Sequence, residues 1–516
     1  MRRHMLLCAA GGTVLVVLVA VGITFTRGRG SPVLVQLSST PLGTNVAPWD
    51  SYATSSSAHG GLGVLQAWLR AAGIRQLRYG GGSYADTYNW QTNTSIRSCL
   101  PGDPAASFVS DCASSGSLSF TQFSRQAKAV SAESFVTVNY GSGTPAEAAA
   151  WVAEAKETSK YSVALWEIGN ESYGCWEVNK ELGGAPEYYE GYKPSLSDSG
   201  SAGANEQTCP QVREGDPAGT QTLATSYAVN AQRFLLAMKA ADPSVRIGVP
   251  WAFGPNVHGA YVPDSSEWND SVLRVDGKYV NFVDAHYYPF NFYGSPGGGN
   301  PTTSEVLQSL TKIPSLYASI RAALNTFDPD ASVVVGETAV SNRETTTTCS
   351  PVGAVFAAGD VLSWLAAGAE SVDWWYMNDG GNTTPTCDSP GSGLFTSSSS
   401  PTPESPYYGY LLASLLAQPR ARLAKIVTTA PHEVLGFEAI LPDGKHAEAF
   451  INLNARSPEK VAQPSDGMSG TLKMWRYDAS KQNVGNPKIA TETLPAASVA
   501  DGVWMPAESI VVLESQ

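Results

Sequence analysis

The 516-residue chain is poor in charged residues. Asp, Glu, Lys and Arg together make up 15% of it, the formal net charge is −13, and no extended run of Lys or Arg is present. Nucleic-acid-binding proteins usually show a basic face, so we expect no nucleic-acid partner. Hydrophobic residues make up 43%, which is typical of a chain that folds around a core rather than of a disordered one.

Several motifs of well-known enzyme classes are also absent. The sequence contains no H-E-x-x-H, no G-x-S-x-G and no glycine-rich phosphate loop. Its histidines have no spacing suited to a metal ion, and no cysteine pair has the C-x-x-C spacing of a metal site. We therefore expect that the protein needs neither a metal nor a cofactor.

Residues 1–30 predict export. The start "MRRH" precedes Leu6–Phe25, a stretch without any charge that is long enough to span a bilayer, and "TRGRG" follows it. A cleaved signal peptide and an uncleaved signal-anchor both remain open. The protein is accordingly expected to be secreted, or to be anchored in the membrane through residues 6–25 with its bulk outside the cytoplasm.

The cysteines agree with export. Beyond residue 30 there are six of them, Cys99, Cys112, Cys175, Cys209, Cys349 and Cys387. An even number in an exported chain suggests disulfides, although the connectivity cannot be deduced from sequence. Our hypothesis is that neighbours along the chain pair, as Cys99–Cys112, Cys175–Cys209 and Cys349–Cys387.

Apolar, strand-like runs alternate with helical patterns over residues 31–419. Seven such strands are predicted at 75–82, 134–141, 161–171, 245–253, 280–290, 332–340 and 371–379, with an eighth near 41–50. This alternation predicts parallel strands with right-handed crossovers, in a barrel or in a doubly wound sheet. Polar residues end nearly every strand, which favours a (β/α)8 TIM barrel because its strand ends converge on one site.

Residues 420–516 have a different pattern. Short alternating strands separated by turns such as Asp443-Gly444 replace the helices. This pattern predicts a C-terminal all-β sandwich domain. The early strand "VLVQL" (33–37) could belong either to this domain or to the barrel.

Two glutamates at strand ends are the candidate catalytic residues. Glu171 ends the strand "YSVALWEIGNE", and Glu337 ends "SVVVGETAV". A single glutamate is most often a solvated surface charge. Two carboxyl groups facing each other across one cavity, however, are the minimum machinery for glycoside hydrolysis, with one protonated and the other ionised.

These motifs resemble a known group of enzymes. "WEIGNE" and "VVGETA", on an alternating chain followed by a β-domain, resemble the clan A retaining glycoside hydrolases. "LRYGGGSYADTYNW" and "VNYGSGTPAEAAAWVAEA" are similar to the α-L-arabinofuranosidases of glycoside hydrolase family 51. "VVGETAV" is closer to the β-glucuronidase and heparanase group, family 79. The resemblance covers roughly residues 34–516.

The resemblance implies a role for five residues. Glu171 would be the acid/base and Glu337 the nucleophile. Asn170 would hydrogen-bond the sugar 2-hydroxyl or its equivalent. Tyr288 and His286, two residues apart on one strand, would hold the nucleophile, since alternate residues of a strand point the same way.

The remaining candidates have two interpretations each. Arg78 would bind the substrate or pair with a catalytic carboxylate, and Asn139 is similarly placed at a strand end. Trp251 and Trp375 would form a platform for the sugar or pack in the barrel. Glu167 would support the site from beneath or have a structural, paired role.

The sequence thus predicts a retaining glycosidase that acts on the O-glycosidic bonds of a plant or microbial polysaccharide or oligosaccharide. An α-L-arabinofuranosidase is the first candidate. One alternative is an exo-acting β-glycosidase on uronic acid or xylose, for which Arg78 would be the cation that a uronate needs. The other is a non-catalytic carbohydrate-binding protein of the cell envelope.

Overall fold

The structure is a computed structural model, and it describes most of the chain beyond residue 32. The described residues are 33–48, 50, 52–53, 62–95, 118–157, 163–174, 177, 217–253, 265–290, 301–341, 346–378, 392–396, 400–461, 468–482 and 487–516. The predicted signal or anchor segment lies outside them. Within the described ranges, no helix is both long and apolar enough to cross a membrane.

One of the seven cysteines lies within the described residues. Cys349 is buried and disulfide-bonded. Its partner lies outside the described residues, as do all the other cysteines. The three pairings therefore stay predictions.

Eight parallel strands close into a barrel, which confirms the predicted TIM-barrel fold. The strands are β2 Leu42–Val46, β3 Gln76–Tyr79, β6 Glu133–Val138, β7 Val163–Ile168, β8 Ile247–Trp251, β9 Phe282–Tyr287, β10 Ser332–Thr338 and β11 Ser371–Trp374. Around the barrel their order is β10-β11-β2-β3-β6-β7-β8-β9. Two short strands, β4 (Tyr88–Asn89) and β5 (Thr94–Ser95), form a separate hairpin after β3.

Helices connect the strands, and local sequence marks where several of them begin. They are α1 Leu65–Ala71, α2 Phe120–Val130, α3 Pro145–Glu157, α4 Pro217–Ala241, α5 Ser265–Asp276, α6 Thr303–Ser309, α7 Ile313–Phe327, α8 Thr346–Cys349, α9 Pro351–Ala367 and α10 Ser405–Ala413. Ser119 and Gln122 form a capping box at α2, and Thr302 and Glu305 form another at α6. At the start of α3 the Glu147 amide donates to the Thr144 hydroxyl, as at a capped helix N-terminus.

The barrel interior is apolar at its floor and charged above it. Phe135, Leu165, Phe282 and Val334 form a separate buried cluster. Arg78 lies over the Phe135 ring at 5.3 Å from its centroid. Two residues further along β7 and β9, Glu167 and Asp284 replace the apolar side chains and are fully buried. This charged layer lies directly beneath the strand ends that carry the candidate catalytic residues.

The C-terminal all-β domain is also confirmed. Its strands are β12 Arg422–Ile426, β13 Val434–Ile440, β14 His446–Asn452, β15 Glu459–Val461, β16 Thr471–Asp478, β17 Ala490–Pro495, β18 Val503–Met505 and β19 Ser509–Ser515. Together with β1 (Val35–Gln36), six of them form a seven-stranded antiparallel sheet in the order β1-β12-β13-β14-β19-β16-β17, and β15 pairs with β18 in a separate two-stranded sheet. The first strand, β1 (Val35–Gln36), pairs with β12, so the "VLVQL" run belongs to this sheet.

Candidate active site

Strand β9 presents a row of polar side chains to the barrel interior. Asp284 and His286 alternate along it, and Tyr288 continues the alternation just beyond its end. The Tyr288 hydroxyl donates a 2.6 Å hydrogen bond to Glu337 Oε2. His286 Nδ1 lies 2.8 Å from Glu171 Oε1 and 3.4 Å from Glu337 Oε2. The row therefore contacts both candidate catalytic glutamates.

A β-bulge directs Glu337 into this site. The pairing of β10 with β9 shifts register between Val334 and Glu337. Strict alternation from Val334 would direct Gly336 inward and Glu337 outward. The extra residue of a bulge re-aims the side chain that follows it. The Glu337 side chain thereby reaches the interior, where it is 6% exposed.

A tight turn at the end of β7 positions Glu171. Gly169 has φ +75° and Glu171 has φ +43°, so the backbone leaves the extended strand conformation just before Glu171. A Cβ atom on Gly169 would overlap the Ser172 hydroxyl and lie 2.8 Å from Tyr140 Cβ. Glycine is therefore the residue that fits this turn. Glu171 Oε1 also accepts a 3.1 Å hydrogen bond from Tyr173, which the sequence interpretation missed.

The two glutamates face each other across a short gap. A carboxylate oxygen of Glu171 and one of Glu337 lie within 4.8 Å of each other, and His286 lies within the same distance of both. Retaining glycosidases place their two carboxyl groups about 5–5.5 Å apart, whereas inverting enzymes leave room for a water at roughly 6.5–9.5 Å. The spacing seen here fits the retaining arrangement.

Arg78 supports the site from beneath rather than lining it. Its side chain is fully buried, and Nη1 donates to Glu337 Oε1 at 2.6 Å while Nη2 donates to Glu167 Oε2 at 2.8 Å. The same two nitrogens also donate to the side-chain oxygens of Asn45 and Asn170, each at 3.0 Å. Burial lowers the pKa of the guanidinium, but the surrounding carboxylates outweigh that effect and hold its pKa well above its usual value.

His286 lies between carboxylates on both sides of its ring. Nε2 is 3.3 Å from Asp284 Oδ2, opposite the Nδ1 contact with Glu171. Burial alone would lower the pKa of His286. The neighbouring charges of Glu337 and Asp284 and the hydrogen bond to Glu171 raise it more, and its pKa lies well above the usual range.

Asn170 is fixed from three directions. Its Oδ1 accepts from Arg78, its Nδ2 donates to Glu177 Oε1 at 3.0 Å, and its backbone amide donates to Asp86 Oδ2 at 3.0 Å. Glu177 in turn accepts a 2.7 Å hydrogen bond from Ser83. No motif in the sequence pointed to Asp86 or Glu177, because their partners come from other loops.

Two groups of side chains bring possible metal ligands together: Glu167, Asp284 and His286, and Glu171, His286 and Glu337. In the first group Arg78 already supplies a cation, 2.8 Å from Glu167 Oε2 and 3.7 Å from Asp284 Oδ2. In the second group the His286 imidazole lies between the carboxylates of Glu171 and Glu337. We assign no metal to either group, and metal independence stays a prediction.

The other sequence candidates lie at strand ends but make different contacts. The Asn139 amide is engaged within its own loop by Ser142 and Gly143 and donates to the Tyr88 carbonyl. Trp251 is buried in the core at the end of β8. Trp375 is partly buried, and a Cβ on Gly82 would lie 3.2 Å from its ring. Binding of substrate by these three residues stays a prediction.

No protein-family model matches the chain. Curated relatives match part of it: the probable α-L-arabinofuranosidase C of Aspergillus flavus and the α-L-arabinofuranosidase C of Emericella nidulans are each 26% identical over 132 residues. That stretch is 23% of this chain and 26% of each relative. The chain thus matches about a quarter of the length of these relatives.

Solved structures match over much more of the chain. The α-L-arabinofuranosidase of Thermotoga maritima, in a complex with arabinose, is 15% identical with a TM-score of 0.63, covering 94% of this chain and 98% of that one. The family 51 α-L-arabinofuranosidase of Bifidobacterium longum is 16% identical with a TM-score of 0.64, at coverages of 94% and 97%. A family 44 endoglucanase of Clostridium thermocellum has a TM-score of 0.55 at 12% identity, with coverages of 94% and 98%. The chain therefore shares the fold of the family 51 α-L-arabinofuranosidases over almost its whole described length.

Proposed function

We propose that this protein is a retaining glycoside hydrolase in which Glu337 is the nucleophile and Glu171 the acid/base. The observation that carries the proposal is the separation of their carboxylate oxygens, within 4.8 Å, at the open end of the barrel. Double displacement needs two carboxyl groups about 5–5.5 Å apart, one on each side of the anomeric carbon, and oxygens this close are compatible with that separation.

The surroundings of the two glutamates support the assignment of a different role to each. Glu337 accepts hydrogen bonds from Arg78 and Tyr288, one on each carboxylate oxygen, which fix the carboxylate in one orientation. Glu171 is more accessible, with 19% of its side chain exposed against 6% for Glu337. A fixed anion suits attack on carbon, and an accessible carboxyl group suits proton exchange with a leaving group and with water.

The chemistry then proceeds in two steps. Glu171 gives its proton to the glycosidic oxygen while Glu337 attacks the anomeric carbon, so that the bond to the leaving group breaks as the glycosyl-enzyme bond forms. The Glu171 carboxylate next takes a proton from water, which attacks the anomeric carbon and releases Glu337. Both glutamates end the cycle in their starting protonation states.

We infer that the substrate is an α-L-arabinofuranoside of a polysaccharide or oligosaccharide. The relatives that match in sequence and several that match in fold are named as α-L-arabinofuranosidases, which supports this choice. We also propose that the protein is exported through Leu6–Phe25. An exported enzyme would meet such polymers outside the cell.

The uronic-acid alternative has less support. It needs a cation that can reach a substrate carboxylate, and Arg78 was the candidate. The Arg78 guanidinium is fully buried and is already engaged by Glu167 and Glu337. A substrate uronate could reach it only by displacing one of these pairs.

Azide rescue of two variants tests the proposal. In Glu171→Ala, azide should attack the glycosyl-enzyme and give a glycosyl azide of retained configuration. In Glu337→Ala, it should attack the substrate directly and give the inverted azide. The substrate is nitrophenyl α-L-arabinofuranoside, whose leaving group needs little protonation, and the anomer is read by proton NMR. The same anomer from both variants would show that the roles are wrong.

A panel of nitrophenyl glycosides separates the candidate functions. It includes α-L-arabinofuranose, β-xylose, β-glucose, β-galactose and β-glucuronic acid. We expect the highest kcat/KM for the arabinofuranoside. Preference for xylose or glucuronic acid would favour the exo-β-glycosidase. Binding of oligosaccharides without turnover of any substrate would favour a non-catalytic carbohydrate-binding protein.

A further inference from the structure

Asp284 is a fully buried carboxylate that the two-step chemistry above does not use. It lies on β9, two residues before His286, and its side chain points into the same interior. Its Oδ1 accepts a 2.6 Å hydrogen bond from the Gly336 amide, the residue before Glu337. Its Oδ2 lies 3.3 Å from His286 Nε2 and 3.7 Å from Arg78 Nε.

The neighbouring strand leaves space for this carboxylate. A Cβ atom on Gly336 would overlap both Asp284 oxygens, so any other residue at 336 would displace them. Asp284 is thus held by a backbone amide on one oxygen and restricted sterically by β10. The second oxygen is left directed at the imidazole.

The contact determines which nitrogen of His286 carries a proton. A carboxylate only accepts hydrogen bonds, so Oδ2 requires a proton on Nε2. With Nε2 protonated, Nδ1 has two states. It accepts a proton from a neutral Glu171, or it carries that proton itself and donates to the Glu171 carboxylate. One proton is therefore shared across the 2.8 Å between Nδ1 and Glu171 Oε1.

We propose that Asp284 is a positioning residue for acid catalysis: it fixes His286 with Nε2 protonated, so that Nδ1 and Glu171 share the catalytic proton. The inference rests on the proposed role of Glu171. Because Asp284 is fully buried and contacts His286, it would act through His286 rather than on the substrate.

The groups that face this proton come from four strands. They are Glu167 and Glu171 at β7, Asp284 in β9, Glu337 in β10 and Arg78 in β3, with the phenols of Tyr173 and Tyr288. Apart from the His286–Glu171 pair that shares the proton, they are three carboxylates, Glu167, Asp284 and Glu337, against one guanidinium. The negative charge of Asp284 favours retention of that proton as the pH rises.

The replacement Asp284→Asn makes a specific change at this contact. The asparagine oxygen would keep the hydrogen bond from Gly336, which turns its NH2 group toward His286 Nε2. An NH2 group donates, so Nε2 would have to accept and the proton would move to Nδ1. The Nδ1–H group would then donate to a Glu171 carboxylate and favour its ionised form.

Nitrogen-15 NMR of the histidine-labelled protein tests the tautomer without any substrate. The chain has six histidines, and His286→Gln assigns the signal. In the unaltered protein we expect Nε2 of His286 to be protonated at every pH at which the protein stays folded. In Asp284→Asn we expect an unprotonated Nε2 and a protonated Nδ1. An unprotonated Nε2 in the unaltered protein overturns the inference, even if Asp284→Asn does not fold.

The pH dependence of kcat/KM supplies the catalytic test. In Asp284→Asn the basic limb should move to lower pH by about one unit, since one such unit corresponds to roughly 1.4 kcal/mol of lost proton affinity. The loss should be larger for an unactivated oligosaccharide than for a nitrophenyl glycoside, which needs little protonation. An unchanged basic limb together with a changed tautomer overturns the link to catalysis.

Asp373→Asn is the matched control. Asp373 is a second buried carboxylate of the interior, on β11, where it accepts from Gln76. We expect its replacement to leave the His286 tautomer unchanged, and a change there would show that the effect of Asp284 is not specific. Lack of glycosidase activity in the unaltered protein would refute the proposed function. The NMR experiment would still show whether Asp284 determines the tautomer of His286.

Discussion

Arg78 Nη1 and Glu337 Oε1 are joined by a 2.6 Å hydrogen bond in the interior of the barrel. The same guanidinium pairs with Glu167, so one buried cation connects the candidate nucleophile to a carboxylate of the layer below. Removal of one partner of a buried pair leaves the other charge uncompensated, which typically costs about 3–5 kcal/mol.

Arg78→Met should therefore lower the free energy of unfolding by about 3–5 kcal/mol and abolish turnover. Arg78→Lys should fold more stably than Arg78→Met but lose roughly 100-fold in kcat, since one ammonium cannot reproduce the fork that reaches both carboxylates. Urea unfolding and steady-state kinetics on a nitrophenyl glycoside measure the two effects.

Arg246→Met is the control for Arg78. Arg246 also forms a two-pronged pair, with Glu370, but 40% of its side chain is exposed and it lies away from the catalytic strand ends. We expect a loss of about 1 kcal/mol or less and an unchanged kcat. Equal losses in the two variants would show that the interior position of Arg78 has no special importance.

Sequence patterns located the barrel and the two glutamates because parallel strands bring their carboxyl ends together. Polar residues at those ends are visible without a structure. The bulge before Glu337 was not predictable, because it depends on the pairing of β10 with β9. Counting alternate residues from Val334 would have directed Glu337 outward.

The roles of the buried charges were likewise only partly predictable. Arg78 had two possible roles in sequence, and its burial shows that it pairs with carboxylates. Asp284 shares the parity of His286, so the alternation on β9 could have indicated it. Asp86 could not have been found in this way, since the backbone amides that it accepts from belong to distant segments.

Tyr288→Phe should impair the proposed nucleophile, Glu337, without disturbing the fold. It removes the 2.6 Å hydrogen bond to Glu337 Oε2, and hydrogen bonds to charged groups are worth about 1.5–3 kcal/mol. We expect kcat to fall roughly 10- to 150-fold with little change in KM. Tyr317→Phe is the control, because its hydroxyl donates to the Gly368 carbonyl at the end of α9. A similar fall in kcat in both variants would contradict the assignment.

Asp360 should make the protein less stable as the pH rises. This carboxyl group lies in α9, and burial raises its pKa from 3.8 to about 8, against a smaller opposing effect of the Thr338 hydroxyl. Thr338 lies 2.9 Å from Asp360 Oδ2 and 3.0 Å from the Tyr287 carbonyl. A neutral Asp360 can donate to Thr338, which then donates its single proton to Tyr287.

A pKa that is higher in the folded than in the unfolded protein stabilises the fold fully below the unfolded value. That contribution is lost as the pH rises toward the folded value. Between about pH 4 and pH 8, Asp360 should lower the free energy of unfolding by up to about 1.4 kcal/mol per pH unit.

Asp360→Asn keeps a donor for Thr338 without the charge, so it should remove this contribution of Asp360 to the slope. Urea unfolding across that range measures it, with the exposed Asp443→Asn as a control that should leave the slope unchanged.

Gly169→Ala should disrupt the turn that carries Glu171. The position has φ +75°, and a Cβ there would meet the Ser172 hydroxyl and Tyr140. Gly444→Ala is the matched control: its φ is +87°, but nothing lies within 4 Å of the added carbon. Both variants carry the backbone strain of an L-residue at positive φ, about 1 kcal/mol, and only Gly169→Ala adds crowding.

We expect Gly444→Ala to lose about 1 kcal/mol and keep its kcat. Gly169→Ala should lose more stability and at least 100-fold in kcat, since a displacement of about 1 Å at a catalytic group has that effect. If the two variants lost equal stability and both stayed active, the turn at Gly169 would not be what positions Glu171.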